Sequence, residues 1–316
     1  MSRPRAAGDG THDGILVVDK PVGPTSHDMV DLVRRLTGVR RVGHGGTLDP
    51  FAAGVLPIFI GRATRLVEYH MGDDKAYRAV VAFGAHSTTD DLDGELTPGA
   101  RTVPDQAAVE GMLERFRGRI SQVPPDHSAV RIAGRRAYEL ARVGQKPELK
   151  ARQVEILDLA IETWVGTHAD RPTATLRVHC SAGTYIRAIA RDLGEALGCG
   201  AYLVALTRTR SGPFRLEAAH GPDAIREALA TGHPAKVLVP ADTGLEGFPA
   251  VTLGGDDLAA ILRGQVVRVP TAGVAPADMP KEGHCRVRDA SGRLAAIARL
   301  EGGRLHPEKV LLEPAG

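Results

Sequence analysis

The sequence has few cysteines and no long apolar run, and both shortages exclude whole classes of protein. Its three cysteines, Cys180, Cys199 and Cys285, are an odd number and form no CxxC pair. A disulfide framework or a cysteine zinc site is therefore not expected, and a reducing cytoplasm is the expected location. No stretch approaches the roughly 20 apolar residues of a transmembrane helix. Residues 1–13 lack the apolar core of a signal peptide, so we predict a short flexible tail there and no membrane association.

The sequence also lacks the motifs of the common metal and cofactor sites. Its twelve histidines are scattered without an HExxH pair or a similar cluster. The glycine-rich stretch at 43–46 is not followed by the GK[ST] tripeptide of a phosphate-binding loop, and no dinucleotide motif is present. We therefore predict a protein that uses no metal and no cofactor.

What remains is the composition of an ordinary globular protein. The chain of 316 residues is 43% hydrophobic and 25% charged, with 37 Gly and 21 Pro. This length suits one large domain and a small one. No internal repeat is visible, which argues against solenoids and propellers.

The net charge of +2 hides an uneven distribution. Residues 115–152 hold ten Arg or Lys against three acids, whereas residues 86–110 hold six acids and one Arg. A basic stretch in a folded chain is suited to a phosphate backbone, although a solvated surface has the same composition. After the prolines at 124–125 the spacing of the arginines does not build one helical face, so we predict a positive surface carried by loops. Its members are Arg131, Arg135, Arg136 and Arg142.

The pattern of apolar residues predicts strands and helices without a regular βαβ order, which favours an α+β fold over a doubly wound one. Apolar and polar residues alternate most clearly at 173–180, which predicts a strand. A helix is predicted from the N-cap at Thr25-Ser26 to Gly38. Further predicted elements are the strands Ile15–Val18, Tyr77–Phe83, Val154–Ile161 and Tyr202–Leu206, and the helix Tyr185–Leu197.

A second unit is predicted to begin near Phe248. It follows Pro240–Gly247, which has the composition of a linker. It contains one candidate helix at Asp256–Leu262 and short strands such as Cys285–Val287 and Leu294–Ala298. We therefore predict a small β-rich module.

The densest group of reactive residues is Arg41–Pro50, with the sequence RVGHGGTLDP. Its three glycines allow backbone angles closed to other residues and let another backbone approach closely. Pro50 biases Asp49 away from the helical region, so the carboxylate is presented from an extended segment on the same loop as His44. Such a pair suits an acid or nucleophile beside an imidazole. A surface turn ending in Asp-Pro is the alternative interpretation.

Two further segments combine aromatic and cationic side chains. Tyr185 and Arg187 begin the predicted helix after the SAGT turn, where groups commonly face a cleft and Arg187 could pair with a carboxylate. Tyr77 opens a strand between Lys75 and Arg78, where it could stack on a base. Ordinary packing is the alternative for each: a helix start with a solvated arginine, and a half-buried strand residue.

Taken together, these blocks resemble one family, the bacterial tRNA pseudouridine synthases of the TruB type. The resemblance rests on DKPVGPTS at 19–26, GHGGTLDPFAAGVLPIFIGRATR at 43–65, the stretch QVPPDHSAVRIAGRRAYELAR, and SAGTYIR at 181–187. It covers residues 14–242 in the family's order and spacing, and the block at 43–65 is very specific. The end of the chain, 247–316, more weakly resembles the PUA-like RNA-binding module that many of these enzymes carry.

The resemblance implies a pseudouridine synthase domain at 14–242 and a small β-rich, PUA-like domain at 247–316. The first is expected to be α+β, with a mixed, mostly antiparallel sheet and flanking helices. Residues 104–152 correspond to an RNA-contacting insert, which would carry the basic surface.

The resemblance also implies, residue by residue, a pocket for one uridine. Asp49 matches the family's catalytic aspartate, Arg187 the arginine that pairs with it, and Tyr77 the tyrosine that stacks on the target base. His44 matches the histidine thought to take the place of the flipped-out uridine in the RNA stack. The remaining matches are the pocket residues Tyr185 and Leu206 and the pair Lys20 and Pro21 near the active-site base.

Three positions depart from the family's pattern, and all of them bear on RNA contact. The chemistry is not affected, because the aspartate, tyrosine and arginine assigned to it all remain. The departures are Gly45 where threonine is common, His127 where tyrosine is usual, and Arg131 where lysine is usual.

The implied activity is isomerisation of uridine to pseudouridine at position 55 in the T loop of tRNA, by flipping the base into the pocket. The implied partner is the T arm of tRNA, with no obligate protein partner and a monomeric state. Two alternatives differ in mechanism or class: a guide-RNA-dependent pseudouridine synthase, and a tRNA-binding or folding chaperone that needs no catalysis.

Overall fold

The computed structural model shows a mixed α+β protein, as the sequence predicts. Its main elements are a ten-stranded sheet and a five-stranded sheet, accompanied by two small two-stranded sheets. The structure describes residues 12–99, 103–128, 130–132, 134–142, 145, 148–166, 171–269 and 280–313.

Within these residues the chain forms nineteen strands, seven α-helices and four short 3-10 helices. The strands are β1 (Gly14–Lys20), β2 (Val42–His44), β3 (Ala52–Ile60), β4 (Lys75–Phe83), β5 (Ala85–Ser87), β6 (Leu96–Pro98), β7 (Gly118–Gln122), β8 (Arg131–Ile132), β9 (Arg135–Arg136), β10 (Arg152–Val165), β11 (Thr173–Cys180), β12 (Ala201–Ser211), β13 (Phe214–Arg215), β14 (Leu238–Val239), β15 (Ala250–Thr252), β16 (Val267–Arg268), β17 (Glu282–Arg288), β18 (Leu294–Glu301) and β19 (Arg304–Val310). The helices are α1 (Ser26–Thr37), α2 (Val67–His70), α3 (Gln106–Leu113), α4 (Ala137–Arg142), α5 (Ile186–Ala196), α6 (Pro222–Ala230) and α7 (Gly255–Leu262).

The large sheet runs in the order β14-β1-β3-β12-β4-β11-β10-β7, with β2 beside β3 and β13 beside β12. Its pairs are antiparallel except β3 and β12, which are parallel. The predicted mixed, mostly antiparallel sheet is therefore confirmed. Apolar residues of α1, α5 and α6 are buried in one core with this sheet, including Val30, Ile189 and Ile225.

Local sequence signals explain where α1 begins and ends. The Asp28 N–H donates to the Thr25 hydroxyl (3.0 Å), and the Asp28 carboxylate accepts the Thr25 N–H (2.8 Å). This reciprocal pair satisfies two backbone donors that a helix start leaves free. Gly38 ends the helix with φ of 70°, a left-handed conformation that favours glycine.

The strand predicted at Tyr202–Leu206 is longer than expected and continues to Ser211. Its second half reads Thr-Arg-Thr-Arg, so the apolar alternation that marks a buried strand is missing there. The extension matters because it brings Arg208 opposite Tyr77 in the register of β12 and β4. Arg208 is also the partner of Gly54 in the parallel pair with β3.

The five-stranded sheet, in the order β15-β17-β18-β19-β16, lies in the C-terminal part of the chain. It encloses a separate apolar core with α7. The stretch Pro240–Gly247 before it is not a free linker, which corrects the sequence-based interpretation. Asp242 pairs with Arg286 (3.2 Å) and with Arg288, both on β17.

Apolar side chains join the two parts of the protein at the same place. Leu245 is buried in a cluster with Leu66, which belongs to the large-sheet part, and with Ile297 and Leu311 from the five-stranded part. The connection is therefore a packed interface. Its turn-rich composition identifies a connection but does not reveal the distant residues that it contacts.

The basic segment also differs from the predicted loop-borne surface. Two of its arginines lie on β9 and one on β8, which pair to form a small antiparallel sheet, and Arg142 ends α4. Very short strands carry too few residues for a periodic pattern, so the sequence offers no signal for them. Arg135 is exposed. The side chains of Arg131, Arg136 and Arg142 lie outside the described structure.

Candidate active site

The loop that carries Asp49 lies between β2 and β3 and is held by hydrogen bonds around that residue. The buried Ser26 hydroxyl, at the start of α1, donates to the Leu48 carbonyl (3.0 Å) and accepts the Leu48 N–H (2.8 Å). The Ala52 N–H donates to the Asp49 carbonyl (3.1 Å). Asp49 therefore has a fixed backbone, while its side chain is 35% exposed and accessible to a ligand.

Arg187, on the first turn of α5, is the cation that faces Asp49. Its Nε lies 3.0 Å from Asp49 Oδ2, and its side chain is only 5% exposed. The Nε–H does not align with that oxygen as a hydrogen bond, so the contact is ionic. The two terminal nitrogens donate to the carbonyls of Thr89 (3.1 Å) and His127 (2.8 Å). Arg187 is thereby oriented by backbone groups and stabilises a negative charge on Asp49.

A second acidic loop reaches the same arginine, and sequence reasoning missed it. Asp91 Oδ2 lies 3.3 Å from Arg187 Nη1, and burial raises the pKa of the Asp91 carboxyl. The adjacent Asp90 pairs with Arg191 (3.0 Å), one turn further along α5, and burial raises its pKa to about 6. The signal available in the sequence is the run of acids at 90–95, but a count of net charge does not distinguish a site residue from a solvated one.

The floor of the site is formed by the sheet. Tyr77 on β4 is buried, and burial raises the pKa of its hydroxyl. Leu206 on β12 pairs with Ala52 of β3 and Ala79 of β4, close to the end of the Asp49 loop. Tyr77 and Leu206 thus lie on neighbouring strands, and Leu206 is beside Ala52, which follows Asp49 by three residues.

His44 ends β2, on the other side of the glycines from Asp49. The Gly46 N–H donates to its Nδ1 (3.3 Å), which leaves Nε2 to carry the ring proton. Burial, reinforced by the positive charge of Arg208, lowers the pKa of His44. The imidazole is therefore neutral at pH 7.

Lys20 ends β1 and is fully buried beneath the loop. Its Nζ donates to the carbonyls of Pro24 (2.7 Å), Pro21 (2.8 Å) and Pro50 (3.4 Å). Burial lowers the pKa of Lys20 to about 8, and the nearby Asp49 opposes that shift. Lys20 therefore fixes the backbone next to Asp49 with a charge that titrates close to neutral pH.

Tyr185 is positioned at the N-cap of α5 by a buried glutamine at the end of β7. Gln122 donates to the Tyr185 carbonyl (3.0 Å) and accepts the Tyr185 N–H (2.8 Å). The guanidinium of Arg152 lies 4.7 Å from the centre of the Tyr185 ring. A cation over an aromatic face is attracted by the ring, so Arg152 holds the Tyr185 ring in place.

The part of the chain that the structure describes contains no group of three or more His, Cys, Asp or Glu residues able to hold a metal ion. The three cysteines are free and buried. Among the described helices, none is long and apolar enough to cross a membrane.

Two family descriptions match consecutive parts of the chain. Residues 34–186 match the TruB family pseudouridylate synthase (N terminal domain). Residues 187–246 match the tRNA pseudouridylate synthase B C-terminal domain. Among the site side chains described above, Lys20 and Ser26 lie before these matched ranges and the others lie within them.

Similar proteins of known name extend the match to nearly the whole chain. A tRNA pseudouridine synthase B of Burkholderia pseudomallei (strain 668) is 41% identical over 303 residues, which are 96% of this chain and 98% of that protein. A tRNA pseudouridine synthase B of Pseudomonas putida is 39% identical over 302 residues, covering 94% of this chain and 95% of that protein.

Solved structures with the same fold are more distant in sequence. A chain of a Cbf5-Nop10-Gar1 complex has a TM-score of 0.68 at 25% identity, covering 96% of this chain and 86% of that chain. A chain of an H/ACA RNP bound to a substrate RNA containing 2′-deoxyuridine has a TM-score of 0.69 at 24% identity, covering 99% and 88%. The second likeness concerns the fold alone.

Proposed function

Because this chain belongs to the TruB family of pseudouridylate synthases, we propose that it isomerises uridine to pseudouridine at position 55 in the T loop of tRNA. The observation that carries the proposal is the accessible Asp49 carboxylate, 3.0 Å from the buried guanidinium of Arg187. The relatives named tRNA pseudouridine synthase B, about 40% identical over nearly the whole chain, support tRNA as the substrate.

The reaction breaks the bond between N1 and C1′, turns the uracil and joins C5 to C1′; C5 loses its proton and N1 gains one. Substrate and product are isomers, so the reaction consumes no oxidant and transfers no phosphate. Asp49 supplies the carboxylate that acts on the nucleotide, and Arg187 directs that carboxylate through their ion pair. Asp91 pairs with Nη1 of the same guanidinium, and this second ion pair fixes the orientation of Arg187.

A uridine inside a folded RNA loop must leave its stack before a pocket can enclose it, which costs a few kcal/mol. In this proposal Tyr77 provides the surface on which the extruded uracil stacks, with Leu206 and Tyr185 beside it. His44 enters the space that the uridine leaves. A neutral imidazole suits that position, because it stacks between bases without a charge to desolvate.

The RNA is bound over a larger surface than this pocket. We assign phosphate contacts to Arg131, Arg135, Arg136 and Arg142 within the insert at 104–152. The catalytic domain at 14–242 is completed by a PUA-like domain at 247–316 that binds RNA without supplying a reacting group. The protein acts in the cytoplasm as a monomer and without an obligate protein partner.

An assay with an unmodified tRNA transcript and the purified protein alone tests this function. Pseudouridine should appear at position 55, as mapped by carbodiimide-dependent reverse-transcription stops. A transcript with cytidine at that position and an Asp49→Asn protein are the matched controls. Product that requires an added guide RNA would favour the guide-dependent alternative. Tight tRNA binding without product would favour the chaperone.

A further inference from the structure

Arg208 is a buried cation in the middle of the large sheet, and its exposed fraction is only 1%. Its hydrogen bonds go to three backbone carbonyls: Nε to Val55 (2.7 Å), Nη2 to Gly46 (3.2 Å) and Nη1 to Thr47 (3.3 Å). Among the ion pairs of the described residues, none involves Arg208. Burying a guanidinium without a carboxylate is unfavourable unless its donors are satisfied. The hydrogen bonds to these three carbonyls therefore offset the cost of burying Arg208.

The three carbonyls lie on both sides of Asp49 in the chain. Gly46 and Thr47 precede it in the loop, and Val55 follows it in β3. One rigid guanidinium therefore ties the entry and the exit of the segment that presents the carboxylate. Arginine can do this because its donors form a planar fork, whereas lysine has a single ammonium.

Gly54 makes the close approach of the Arg208 backbone possible, and Gly46 supplies the backbone conformation of the loop beside its guanidinium. Gly54 has φ of 100°, and a Cβ there would lie 2.3 Å from the carbonyl oxygen of Arg208. Gly46 has φ of 140°, and a Cβ there would lie 3.7 Å from Arg208 Nη1. The backbone of Arg208 is thus held directly against β3, and its guanidinium lies against the loop.

Arg208 also acts on the other ionisable groups around Asp49. Its charge contributes to the lowered pKa of His44, Lys20 and Lys75, in each case behind burial as the main cause. It interacts with the Tyr77 hydroxyl as well, from the facing position on β12. The same side chain is therefore in contact with both the aspartate loop and the aromatic floor.

We propose that Arg208 is a positioning residue for the reaction, which holds the segment from Gly46 to Val55 so that Asp49 faces Arg187 and the base on Tyr77. The proposal rests on the proposed function of that site. Arg208 acts through the loop and does not itself touch the reacting atoms. A displacement of about 1 Å in a reacting group can reduce a rate about 100-fold.

The test replaces Arg208 with lysine in the full chain, which keeps the charge and loses the fork. At saturating tRNA, kcat of Arg208→Lys should fall by about 30-fold or more. KM and the tRNA dissociation constant should stay within about threefold, because the phosphate contacts are unchanged. The proposal would be overturned by a folded variant that retains kcat within about twofold, or by one in which KM rises and kcat does not change.

Arg210→Lys is the matched control, since it changes the same residue type on the same strand. Arg210 pairs with Asp74 (2.7 Å) and contacts His179, and its register partner is Ala76 rather than Tyr77. It therefore points to the face of the sheet opposite the site. Its kcat and KM should both match those of the unmodified protein.

Ser26→Ala gives a second, independent variant if Arg208→Lys does not fold. It removes the hydroxyl that bonds both backbone groups of Leu48 without changing any charge. It should lower kcat about fivefold or more at unchanged KM. A melting curve like that of the unmodified protein together with an unchanged kcat would contradict positioning through this loop. If the unmodified protein itself forms no pseudouridine, the proposed function fails, and that outcome is distinct from both variant results.

Discussion

The two sheets of this protein differ in which groups satisfy their buried charges. The large sheet encloses four buried cations near Asp49, and their donors go mainly to carbonyls of the surrounding loops: Lys20, Lys75, Arg187 and Arg208. The five-stranded sheet has an apolar core, and its buried acid Asp289 is satisfied within its own turn by Ser291 and Arg293. A third arrangement, at the interface, pairs Asp242 with two arginines of β17.

Buried charges are costly, so their placement indicates what each region has to do. Around Asp49 they fix loop backbone and the orientation of a carboxylate, which is a requirement of chemistry. At the interface the same kind of pair only joins two structural parts. We therefore expect substitutions near Asp49 to reduce kcat and substitutions at the interface to reduce stability.

The largest effect is expected for Asp49→Asn. Loss of the carboxylate should lower pseudouridine formation by about 1,000-fold or more, as for essential groups that act as a unit. The affinity for tRNA should change by no more than a few-fold, because phosphate contacts dominate it. Single-turnover rates and filter binding measure the two quantities. Asp158→Asn, which removes the exposed carboxylate on β10 that pairs with Arg177 on β11, is the control and should be fully active. Appreciable turnover by Asp49→Asn would remove Asp49 from the mechanism.

The converse result is expected for Asp242→Asn at the interface. It leaves Arg286 and Arg288 without their carboxylate, a change that costs about 3 kcal/mol when a buried pair is broken. The thermal midpoint should fall by about 5 °C, with kcat at saturating tRNA unchanged. The exposed Asp256→Asn, in the five-stranded part that Asp242 contacts, should leave the midpoint almost unchanged. A loss of kcat without a loss of stability in Asp242→Asn would contradict the division between the two regions.

A smaller effect, on the pH dependence of stability, is expected for Asp90→Asn. The pKa of Asp90 is raised to about 6 by burial, above the value of about 3.9 expected for an unfolded chain. Between these values the folded state binds more protons than the unfolded state, so this group makes the protein less stable as pH rises. Asparagine avoids that loss and suits the φ of 62° at this position.

Measured against the unmodified protein, the stability of Asp90→Asn should therefore rise by about 1–2 kcal/mol from pH 5 to pH 7.5. Denaturant unfolding at the two pH values gives this difference directly. If the free energies of unfolding of Asp90→Asn and the unmodified protein differ by the same amount at both pH values, Asp90 is not buried as described.

The smallest effect is expected in the basic insert. Replacing Arg135 and Arg136 by glutamine should flatten the plot of log affinity against log salt, by about 0.7–0.9 for each phosphate that the protein no longer neutralises. The control replaces Arg78 on β4 and Arg177 on β11, which pair with Glu162 and Asp158 of β10. An unchanged slope in the Arg135 and Arg136 variant would show that these side chains face solvent and not RNA.

Much of the local structure followed from neighbouring residues. The capping pair of Thr25 and Asp28, the left-handed Gly38 and the alternation at 173–180 all depend on contacts within a few positions. Elements with such signals, including β11 and α5, lie where the sequence predicted them. The motif around Asp49 and the other blocks that resemble the TruB type also identified the family, and the comparisons with known proteins support this independently.

By itself, then, the sequence determined the residue types of the site, the local elements and the family. Only the tertiary structure decided that Arg187 meets both Asp49 and Asp91, that Pro240–Gly247 packs into an interface, and that Arg208 lies under the loop. The physical reason is sequence distance: the partners of Arg208 are 153 to 162 residues away along the chain. Such contacts depend on the register of β3, β4 and β12, and register shifts on both sides of Arg208 interrupt the alternation from which the pairing of β12 with β4 could be predicted.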